Sequence, residues 1–328
     1  MLFNGGWPMK DKEILVETRK LTKHFQTGKG QVVHAVSDID LTLYRGETFA
    51  LVGESGCGKS TLGRTLLRLL PPTSGQIFFK GQEISAMSAK DFKSIRPRMQ
   101  MVFQDPYASL DPRMTVRDII AEPLKTYKVC SSKDETTEAV LSLMERVGVP
   151  GEFLNRYPHQ FSGGQRQRIG IARAIALNPE FLVCDEPVSA LDVSIQSQVL
   201  NLLKRLNEEM NLTTLFIGHD LSVIHFIASR VGVMFLGKLC EIAPKEELYT
   251  HPLHPYTQFL LEAIPQADPH LRNRERRILK GEIPSPVHPP EGCHFHTRCP
   301  YATEQCSREI PGMKDCGGGH LVACHLVQ

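Results

Sequence analysis

Short apolar runs alternate with amphipathic stretches along most of the chain, and this alternation predicts an α/β fold. Residues 48–52 form a continuous apolar run that leads into a glycine-rich segment, as a buried parallel strand does. Similar runs predict strands at 181–184, 213–217 and 231–236, and amphipathic spacing predicts a helix at about 194–210 between the first two. The pattern therefore predicts a mostly parallel sheet.

The same pattern predicts how the rest of the chain is organised. Early strands are expected at 14–16 and 35–43, and leucines at helical spacing predict a helix from Ser60 to Leu70 that the following prolines stop. Residues from about 105 to 179 are mainly helical in pattern, and we expect them to form a helical lobe inserted into the sheet. Four residues of this lobe are expected to share one apolar helix face: Ile169, Ala172, Ile175 and Ala176.

Length, charge and hydropathy limit the class of protein. With 328 residues, of which 41% are apolar, the chain suits one large domain with an extension. Its 38 basic and 36 acidic residues are mixed and give a net charge of +2, which argues against a nucleic-acid partner. No stretch approaches the roughly 20 apolar residues that span a bilayer, and residues 1–8 do not form a secretory signal. We therefore expect a cytosolic chain that acts on a membrane only as a peripheral subunit, at its cytoplasmic face.

Composition along the chain predicts three parts. Residues 1–12 are expected to be a flexible N-terminus, and residues 13–264 the main α/β domain that contains the helical lobe. Residues 265–328 are expected to be a C-terminal extension, which begins with a Pro- and Arg-rich linker up to about residue 290. The basic residues of this linker are expected to form a solvated face, and contact with lipid head groups is a weaker alternative. They are Arg272, Arg274, Arg276, Arg277 and Lys280.

The segment from Gly53 to Ser60 follows the pattern G-x-x-x-x-G-K-S of a phosphate-binding loop. Its glycines let backbone N–H groups turn toward phosphate oxygens, and the helix after it adds the positive end of its dipole. Lys59 supplies a full charge to the β- and γ-phosphates, and the Ser60 hydroxyl can bind Mg²⁺. Cys57 fills a variable position and has no expected catalytic role. The expected ATP contacts are Gly53, Glu54, Ser55, Gly56, Cys57, Gly58, Lys59, Ser60 and Thr61.

Two adjacent carboxylates and a second glycine-rich helix start add further chemistry. Asp185 ends an apolar strand, where its carboxylate can reach Mg²⁺, and the adjacent Glu186 is the natural general base for an attacking water. Ser162 is a good N-cap, and the glycines after it expose backbone donors. This second anion-binding helix start consists of Ser162, Gly163, Gly164 and Gln165, about a hundred residues after the phosphate loop.

In this order and spacing, the three motifs resemble those of the ATPase subunit of an ATP-binding-cassette (ABC) transporter. The resemblance implies a P-loop NTPase cassette with a RecA-like core sheet and an inserted helical subdomain at 105–179. It implies ATP and Mg²⁺ as cofactors, and hydrolysis of ATP coupled to transport across a membrane. It also implies that two cassettes work face to face, so that residues Ser162 to Gln165 of one bind the γ-phosphate of the ATP held by the other.

The resemblance assigns roles to further residues. His219 is expected to hold the attacking water and the general base in line. Asp192 belongs to the loop that links the two ATP sites across the dimer. Phe25 lies where these ATPases place an aromatic ring against adenine, a position that many relatives fill with Tyr. The implied Mg²⁺ ligands are Ser60, Gln104 and Asp185.

Further motifs resemble those of the dipeptide, oligopeptide and nickel importer ATPases, and with them the resemblance covers residues 14–326. The motifs are residues 104–112 (QDPYASLDP), 254–257 (HPYT), 281–286 (GEIPSP) and the cysteine-rich tail. The resemblance implies a second, homologous ATPase subunit, two membrane-spanning permeases and an external substrate-binding protein as partners, with peptides as cargo. Nickel or another small solute stays open as cargo, because cargo is chosen outside this chain.

Two other kinds of function fit the sequence less well: a non-transport cassette that acts on DNA or ribosomes, and a non-catalytic redox-sensing subunit. A chromosome or repair ATPase needs a long coiled coil between the phosphate loop and Ser162, and only about a hundred residues lie there. Translation factors of this fold usually carry two cassettes in one chain, whereas this chain has one. A non-catalytic redox-sensing subunit is at odds with the intact Lys59, Asp185 and Glu186. An importer ATPase is therefore the leading hypothesis.

Five of the nine cysteines lie in the last 36 residues. In a reducing compartment such a group indicates a metal site before it indicates disulfides. Cys293, Cys299, Cys306 and Cys324 could hold a [4Fe–4S] cluster or a tetrahedral Zn²⁺, and a tail without metal also stays open. The family resemblance favours an iron–sulfur cluster. Cys316, a spare cysteine beside a run of glycines, could replace Cys324 as the fourth ligand, but the resemblance points to Cys324. Since no C-x-x-C pair is present, we expect a structural role rather than one in electron transfer.

Overall fold

The computed structural model of the protein describes residues 12–28, 30–264 and 281–327, which divide into two compact units. The first unit comprises the described residues up to Ala86 and from Gly218 onward, and the second is Met87–Ile217. The predicted flexible N-terminus, except for Lys12, lies outside the described residues. So do residues 265–280 of the predicted linker, with its basic run.

Strands and helices alternate through most of the chain. The strands are β1 (Ile14–Gln26), β2 (Val32–Tyr44), β3 (Thr48–Val52), β4 (Ser74–Phe79), β5 (Gln82–Glu83), β6 (Met99–Val102), β7 (Phe181–Asp185), β8 (Thr213–Ile217), β9 (Arg230–Phe235), β10 (Lys238–Pro244), β11 (Lys314–Asp315) and β12 (Leu321–Val322). The α-helices are α1 (Lys59–Leu66), α2 (Ala89–Phe92), α3 (Val116–Thr126), α4 (Lys133–Arg146), α5 (Gly163–Ile175), α6 (Val193–Met210), α7 (Leu221–Ile227), α8 (Lys245–Thr250), α9 (Pro255–Glu262) and α10 (Glu304–Arg308). Short 3-10 helices span Arg96–Arg98, Gly151–Phe153 and Pro158–Gln160.

The first unit contains antiparallel and mixed strand pairing. Strands β2, β1, β4 and β5 form an antiparallel sheet in that order. A second set of strands pairs in the order β11, β12, β10, β9, β3. In this set β3 runs parallel to β9, and the other neighbours are antiparallel. The predicted strands at 48–52 and 231–236 are confirmed, the second with a shift of one residue. The strand predicted at 14–16 is longer, because β1 keeps its pairing with β2 well beyond its apolar start.

The second unit has three parallel strands and a group of helices. Strand β7 lies between β6 and β8 and pairs in parallel with both. Its five residues are all buried, as expected for a central strand with a continuous apolar sequence. Helices α3, α4 and α5 pack together within this unit. The predicted apolar face of α5 is confirmed, since Ile169, Ala172, Ile175 and Ala176 are all buried.

Helix α1 ends at Leu66 rather than at the predicted Leu70. Arg68 has a left-handed backbone with φ 51°, which a continuing helix does not allow. The N–H groups of Leu69 and of the residue after it both donate to the Arg64 carbonyl oxygen, at 2.9 and 3.3 Å, and so close the last turn. The prolines that follow are therefore not what ends the helix.

None of the helices that the structure describes is long and apolar enough to cross a bilayer.

Candidate nucleotide site

The phosphate loop lies between β3 and α1 in the first unit. Gly58 has φ 106°, and a Cβ atom there would lie 2.0 Å from the Ala35 carbonyl oxygen, so this position requires glycine. The Lys59 side chain is buried, and its Nζ donates hydrogen bonds to the carbonyl oxygens of Gly53 (2.8 Å) and Glu54 (2.9 Å). The ammonium group is therefore held against the loop in which the sequence predicts phosphate contacts.

The remaining residues of the loop differ in exposure. Ser55 is exposed, whereas the Cys57 thiol is buried and lies 3.7 Å from Lys59 Nζ. Burial raises the pKa of the Cys57 thiol, and the nearby Lys59 offsets part of this effect. A buried, protonated thiol is a poor nucleophile. Ser60 and Thr61 are half-buried at the beginning of α1.

Two predicted site residues of the first unit lie outside the loop. Phe25 is half-buried near the end of β1, and the Lys23 ammonium lies 5.0 Å from the centre of its ring. His219 is exposed and precedes α7 by two residues. The residue before it, Gly218, donates a 3.2 Å backbone hydrogen bond to Leu51 in β3, which fixes the start of this segment.

In the second unit, two neighbouring strands bring three predicted residues together at their carboxyl ends. Strand β7 ends at the buried Asp185, and Glu186 follows it. Gln104 follows β6, and its Nε2 donates a 2.9 Å hydrogen bond to Glu186 Oε2. Strands β6 and β7 run parallel, and Val102 lies opposite Cys184. The segments that follow the two strands therefore leave the sheet at the same edge.

Glu186 has an unusual backbone conformation for a residue with a side chain. Its φ is 44°, in the left-handed region that glycine normally fills. The conformation is held by hydrogen bonds on both sides: its N–H donates to Ile217 (3.0 Å), and its carbonyl accepts from the Ser189 N–H (3.3 Å) and hydroxyl (3.1 Å). Strain of this kind concentrates at functional sites. In this backbone conformation, the Glu186 carboxylate accepts the hydrogen bond from Gln104.

The predicted second helix start has a complete capping box. Ser162 Oγ accepts the Gln165 N–H at 3.3 Å, and Gln165 Oε1 accepts the Ser162 N–H at 3.0 Å. The prediction that Ser162 is the N-cap of this helix is confirmed. The two side chains satisfy each other's backbone groups, so the helix α5 begins sharply at Gly163.

Helix α5 approaches α6 closely next to this capping box. A Cβ on Gly164 would lie 2.3 Å from Ile195 Cγ2, so the close approach depends on glycine. Asp192 is exposed and is the N-cap residue of α6, and its side chain makes no capping hydrogen bond within the described part of the chain. Asp192 therefore lies at the beginning of α6, the helix that packs against the beginning of α5.

The cysteine-rich tail packs onto the first unit through aromatic residues. Phe295 is 1% exposed, and its ring centre lies 5.2 Å from that of Tyr256 and 5.3 Å from that of Phe235. Buried Glu241 in β10 accepts hydrogen bonds from His320 Nε2 (2.6 Å) and from two backbone N–H groups before α9. The described part of the tail is thus tied to β9, β10 and α9.

The four cysteines proposed as ligands influence one another electrostatically. The pKa of Cys293 is raised to about 11, mainly by burial and to a smaller extent by Cys306, Cys324 and Cys299, while a backbone hydrogen bond from Phe295 opposes the shift. Burial also raises the pKa values of Cys299 and Cys324, and Cys306 adds to both shifts. All nine cysteines are free thiols, and Cys316 is exposed. Among the residues in 12–28, 30–264 and 281–327, no three His, Cys, Asp or Glu side chains are grouped closely enough to hold a metal ion.

Two residues in contact with the phosphate loop were not predicted as site residues. Tyr256 Oη accepts the Glu54 backbone N–H at 3.0 Å, and Arg298 pairs with the Glu54 carboxylate at 2.9 Å. Both lie in motifs that carry the resemblance to importer ATPases, HPYT and the Arg-Cys-Pro of the tail. Their position in these two family motifs was the one sequence signal that could have pointed to Tyr256 and Arg298.

Comparison with known proteins agrees with the fold and the motifs. The ABC transporter family profile matches residues 36–189, and the profile of the oligopeptide/dipeptide transporter C-terminal region matches residues 240–306. The chain is 55% identical over 324 residues to the oligopeptide transport ATP-binding protein AppF of Bacillus subtilis (strain 168). That alignment covers 96% of this chain and 98% of AppF.

Solved structures of ABC cassettes are similar to the larger part of the chain. A dimeric, post-hydrolysis structure of the ATP-binding cassette MJ0796 bound to ADP and Pi has a TM-score of 0.65 at 30% identity, and covers 70% of this chain and 99% of MJ0796. CbiO1 of Clostridium perfringens, part of the ABC transporter complex cbiONQ, has a TM-score of 0.64 at 27% identity, and covers 73% and 92% of the two chains.

The fold, the motifs and these similarities define an ATPase of the ABC transporter class. Within that class, the chain belongs to the family of transport ATP-binding proteins that carry the oligopeptide/dipeptide transporter C-terminal region.

Proposed function

We propose that this chain hydrolyses ATP to power the import of dipeptides or oligopeptides, as a peripheral subunit at the cytoplasmic face of a membrane. The observation that carries this proposal is the combination of the C-terminal region at 240–306 with 55% identity to an oligopeptide transport protein across nearly the whole chain. Its proposed partners are a second homologous ATPase subunit, two permeases and an external binding protein. The proposed ATPase domain is 13–264, with the helical subdomain at 105–179, and the proposed extension is 265–328.

The phosphates and adenine of ATP are proposed to bind through residues of the first unit. The buried Lys59 ammonium is a full positive charge at the loop, and the α1 N-terminus adds its partial positive charge. Phe25 is proposed to stack on adenine, and its half-buried ring supports that role. The Ser60 hydroxyl, the Gln104 amide and the Asp185 carboxylate are the proposed Mg²⁺ ligands, and oxygen donors of this kind suit that ion. Bound Mg²⁺ would neutralise charge that develops on the phosphates.

Glu186 is the proposed general base that takes a proton from the attacking water. The 2.9 Å hydrogen bond from Gln104 fixes one carboxylate oxygen, and the strained backbone fixes where the side chain begins. A carboxylate held in this way is preorganised for proton abstraction. His219 is proposed to hold the water in line, and its exposure leaves it accessible to substrate.

Two cassettes are proposed to share their ATP sites. The capped start of α5 presents backbone donors and a partial positive charge, which suits a γ-phosphate. The chain already has a phosphate loop of its own, so we infer that this second helix start serves the ATP of a partner cassette. Asp192, beside it, is proposed to link the two sites. Similarity to MJ0796, which is known as a dimer, supports the proposal.

The four tail cysteines are proposed as ligands of a [4Fe–4S] cluster, with Zn²⁺ as the alternative. Their mutual effect on pKa supports proximity, and thiolates are the donors that such clusters use. As placed, they do not form a compact donor group for a single ion. Anaerobic purification tests this: a brown protein with about four irons per chain is expected, and a colourless protein with zinc or no metal contradicts it.

Peptide import is tested by uptake into cells that lack the chromosomal copy and carry either the wild-type chain or Glu186→Gln. We expect the variant to lose uptake of labelled di- and oligopeptides, with nickel uptake unchanged. The matched control is Glu208→Gln, which makes the same substitution at an exposed residue of α6. Loss of nickel uptake with peptide uptake intact would contradict peptides as cargo, and no effect on either would contradict an importer role.

A further inference from the structure

Glu54 in the phosphate loop is held at three points. Its carbonyl oxygen accepts a 2.9 Å hydrogen bond from Lys59 Nζ, and its backbone N–H donates to Tyr256 Oη at 3.0 Å. Its carboxylate accepts two hydrogen bonds from a single nitrogen of Arg298, at 2.9 and 3.1 Å. Two of these three contacts come from residues more than two hundred positions away in the sequence.

Arg298 is placed by the packing of the tail. Phe295, three residues before it, is buried among the rings of Phe235, Tyr256 and Phe259, and the Arg298 N–H donates to the Phe295 carbonyl at 3.0 Å. The Arg298 side chain is 7% exposed, against 22% for Glu54. Burial of a guanidinium is tolerated when it is paired, and Glu54 is the carboxylate that pairs with it here.

Tyr256 holds the backbone of Glu54 through the hydrogen bond that its hydroxyl accepts from the Glu54 N–H. Burial, and then the carboxylate of Glu54, raise the pKa of the Tyr256 phenol, so that its hydroxyl stays protonated. Glu54 is therefore fixed through its main chain by α9 and through its side chain by the tail. The two anchors leave the carboxylate turned toward Arg298.

We propose that Arg298 is a positioning residue for ATP binding, because it neutralises and holds the Glu54 carboxylate beside the phosphate loop. The proposal rests on the proposed role of this loop in binding ATP. It gives the C-terminal tail a part in nucleotide binding that is separate from any metal its cysteines hold.

The physical reason is charge. ATP brings several negative charges to a loop that itself carries a carboxylate, and a like charge that is partly shielded from water is poorly screened. Paired with Arg298, Glu54 contributes little net charge. Without Arg298, its carboxylate would oppose the phosphates and lose its fixed orientation. Arg298 thus acts on ATP through Glu54, without touching the nucleotide.

A double-mutant cycle separates this charge effect from a general structural role. The full-length chain is purified as wild type, Arg298→Ala, Glu54→Gln and the double variant, and binding of the Mg²⁺ complex of a non-hydrolysable ATP analogue is measured by calorimetry. We expect Arg298→Ala to weaken binding about tenfold when Glu54 is present and less than about twofold when Glu54 is replaced by Gln. Gln keeps an oxygen acceptor but removes the negative charge.

Three further variants complete the design. Arg298→Lys keeps the charge and should retain affinity within about threefold. Arg308→Ala removes an exposed tail arginine that pairs with Glu304, and should leave binding unchanged. Lys59→Ala tests the loop itself. In hydrolysis assays, Arg298→Ala should raise KM more than it lowers kcat, and its metal content should equal that of the wild type.

The outcomes distinguish the two proposals. If Arg298→Ala weakens binding equally with and without Glu54, Arg298 is only a structural residue and the inference is wrong. Unchanged binding in Arg298→Ala also overturns it. If Lys59→Ala binds as tightly as the wild type, the proposed nucleotide site itself fails. Loss in Lys59→Ala without loss in Arg298→Ala overturns the inference alone.

Discussion

Gln104 donates a 2.9 Å hydrogen bond to the carboxylate of Glu186, and so joins two residues that follow neighbouring parallel strands. The bond crosses from the end of β6 to the end of β7. Glu186 is further held by its left-handed backbone and by the bonds to Ile217 and Ser189. A carboxylate fixed by side chain and main chain together suits a role that depends on orientation, which leads to the first prediction.

Glu186→Gln should bind MgATP with near wild-type affinity and lose at least about 100-fold in the rate of hydrolysis, because an amide cannot accept the proton of the attacking water. Binding and turnover are measured on the same preparations. Glu208→Gln, exposed on α6, is the control for loss of a carboxylate. Hydrolysis at the wild-type rate would rule Glu186 out as the base.

Lys59→Ala should weaken MgATP binding by about 10- to 100-fold, which corresponds to the loss of a charged hydrogen bond of about 1.5–3 kcal/mol. The substitution also leaves the Gly53 and Glu54 carbonyl oxygens without this donor, so some loss of thermal stability is expected. Lys90→Ala, on the surface of α2, controls for the change in net charge. Equal losses in the two variants would show that the effect is not specific to the loop.

Ser162→Asp separates helix capping from phosphate binding at the start of α5. Asp is as good an N-cap as Ser, so the thermal midpoint should change little. A negative charge at this position should repel a γ-phosphate and reduce hydrolysis by at least about 100-fold. Ser132→Asp makes the same change at the N-cap of α4 and should leave hydrolysis unchanged. A fully active Ser162→Asp would argue against phosphate binding at this helix start.

His254→Asn should remove a pH dependence of stability in the first unit. Burial lowers the pKa of His254 to about 4, and its Nδ1 caps α9 by accepting the Tyr256 N–H. Between about pH 6.5 and 4 the unfolded chain takes up a proton that the folded chain resists, so wild-type stability falls as pH falls. Asn keeps a capping acceptor but does not titrate.

The difference between the two proteins is measured by urea unfolding at pH 7 and pH 5. Relative to His254→Asn, the wild type should lose roughly 2 kcal/mol over this interval. Parallel pH dependences in the two proteins would show that His254 is not held neutral by the fold.

Local sequence was sufficient for the elements that bear the main motifs. Strands β3 and β8 begin and end where their apolar runs do, because a buried parallel strand is apolar along its whole length. Ser162 was predictable as an N-cap because the capping box is a contact across three residues. The end of α1 was not predictable from leucine spacing, since it depends on the left-handed turn at Arg68.

Contacts between distant parts of the chain could not be read from spacing. The Arg298–Glu54 pair joins positions 244 residues apart, and it depends on Phe295 packing in an aromatic cluster whose other members lie on two elements, β9 and α9. The left-handed φ of Glu186 likewise follows from its bonds to Ile217 and Ser189 rather than from residue type. The sequence was therefore sufficient to predict Glu186 as the general base, but not the contacts that hold it in place.

The central claim is that this cassette completes its ATP sites only with a second cassette. The direct test is the rate of ATP hydrolysis per chain, measured for the full-length protein alone, diluted until sedimentation shows a monomer, and again after assembly with its partner cassette and permeases. We expect the monomer to be at least about 100-fold slower, and Ser162→Asp to abolish the gain on assembly. Hydrolysis at the assembled rate by the isolated monomer, with or without Ser162, would contradict the claim.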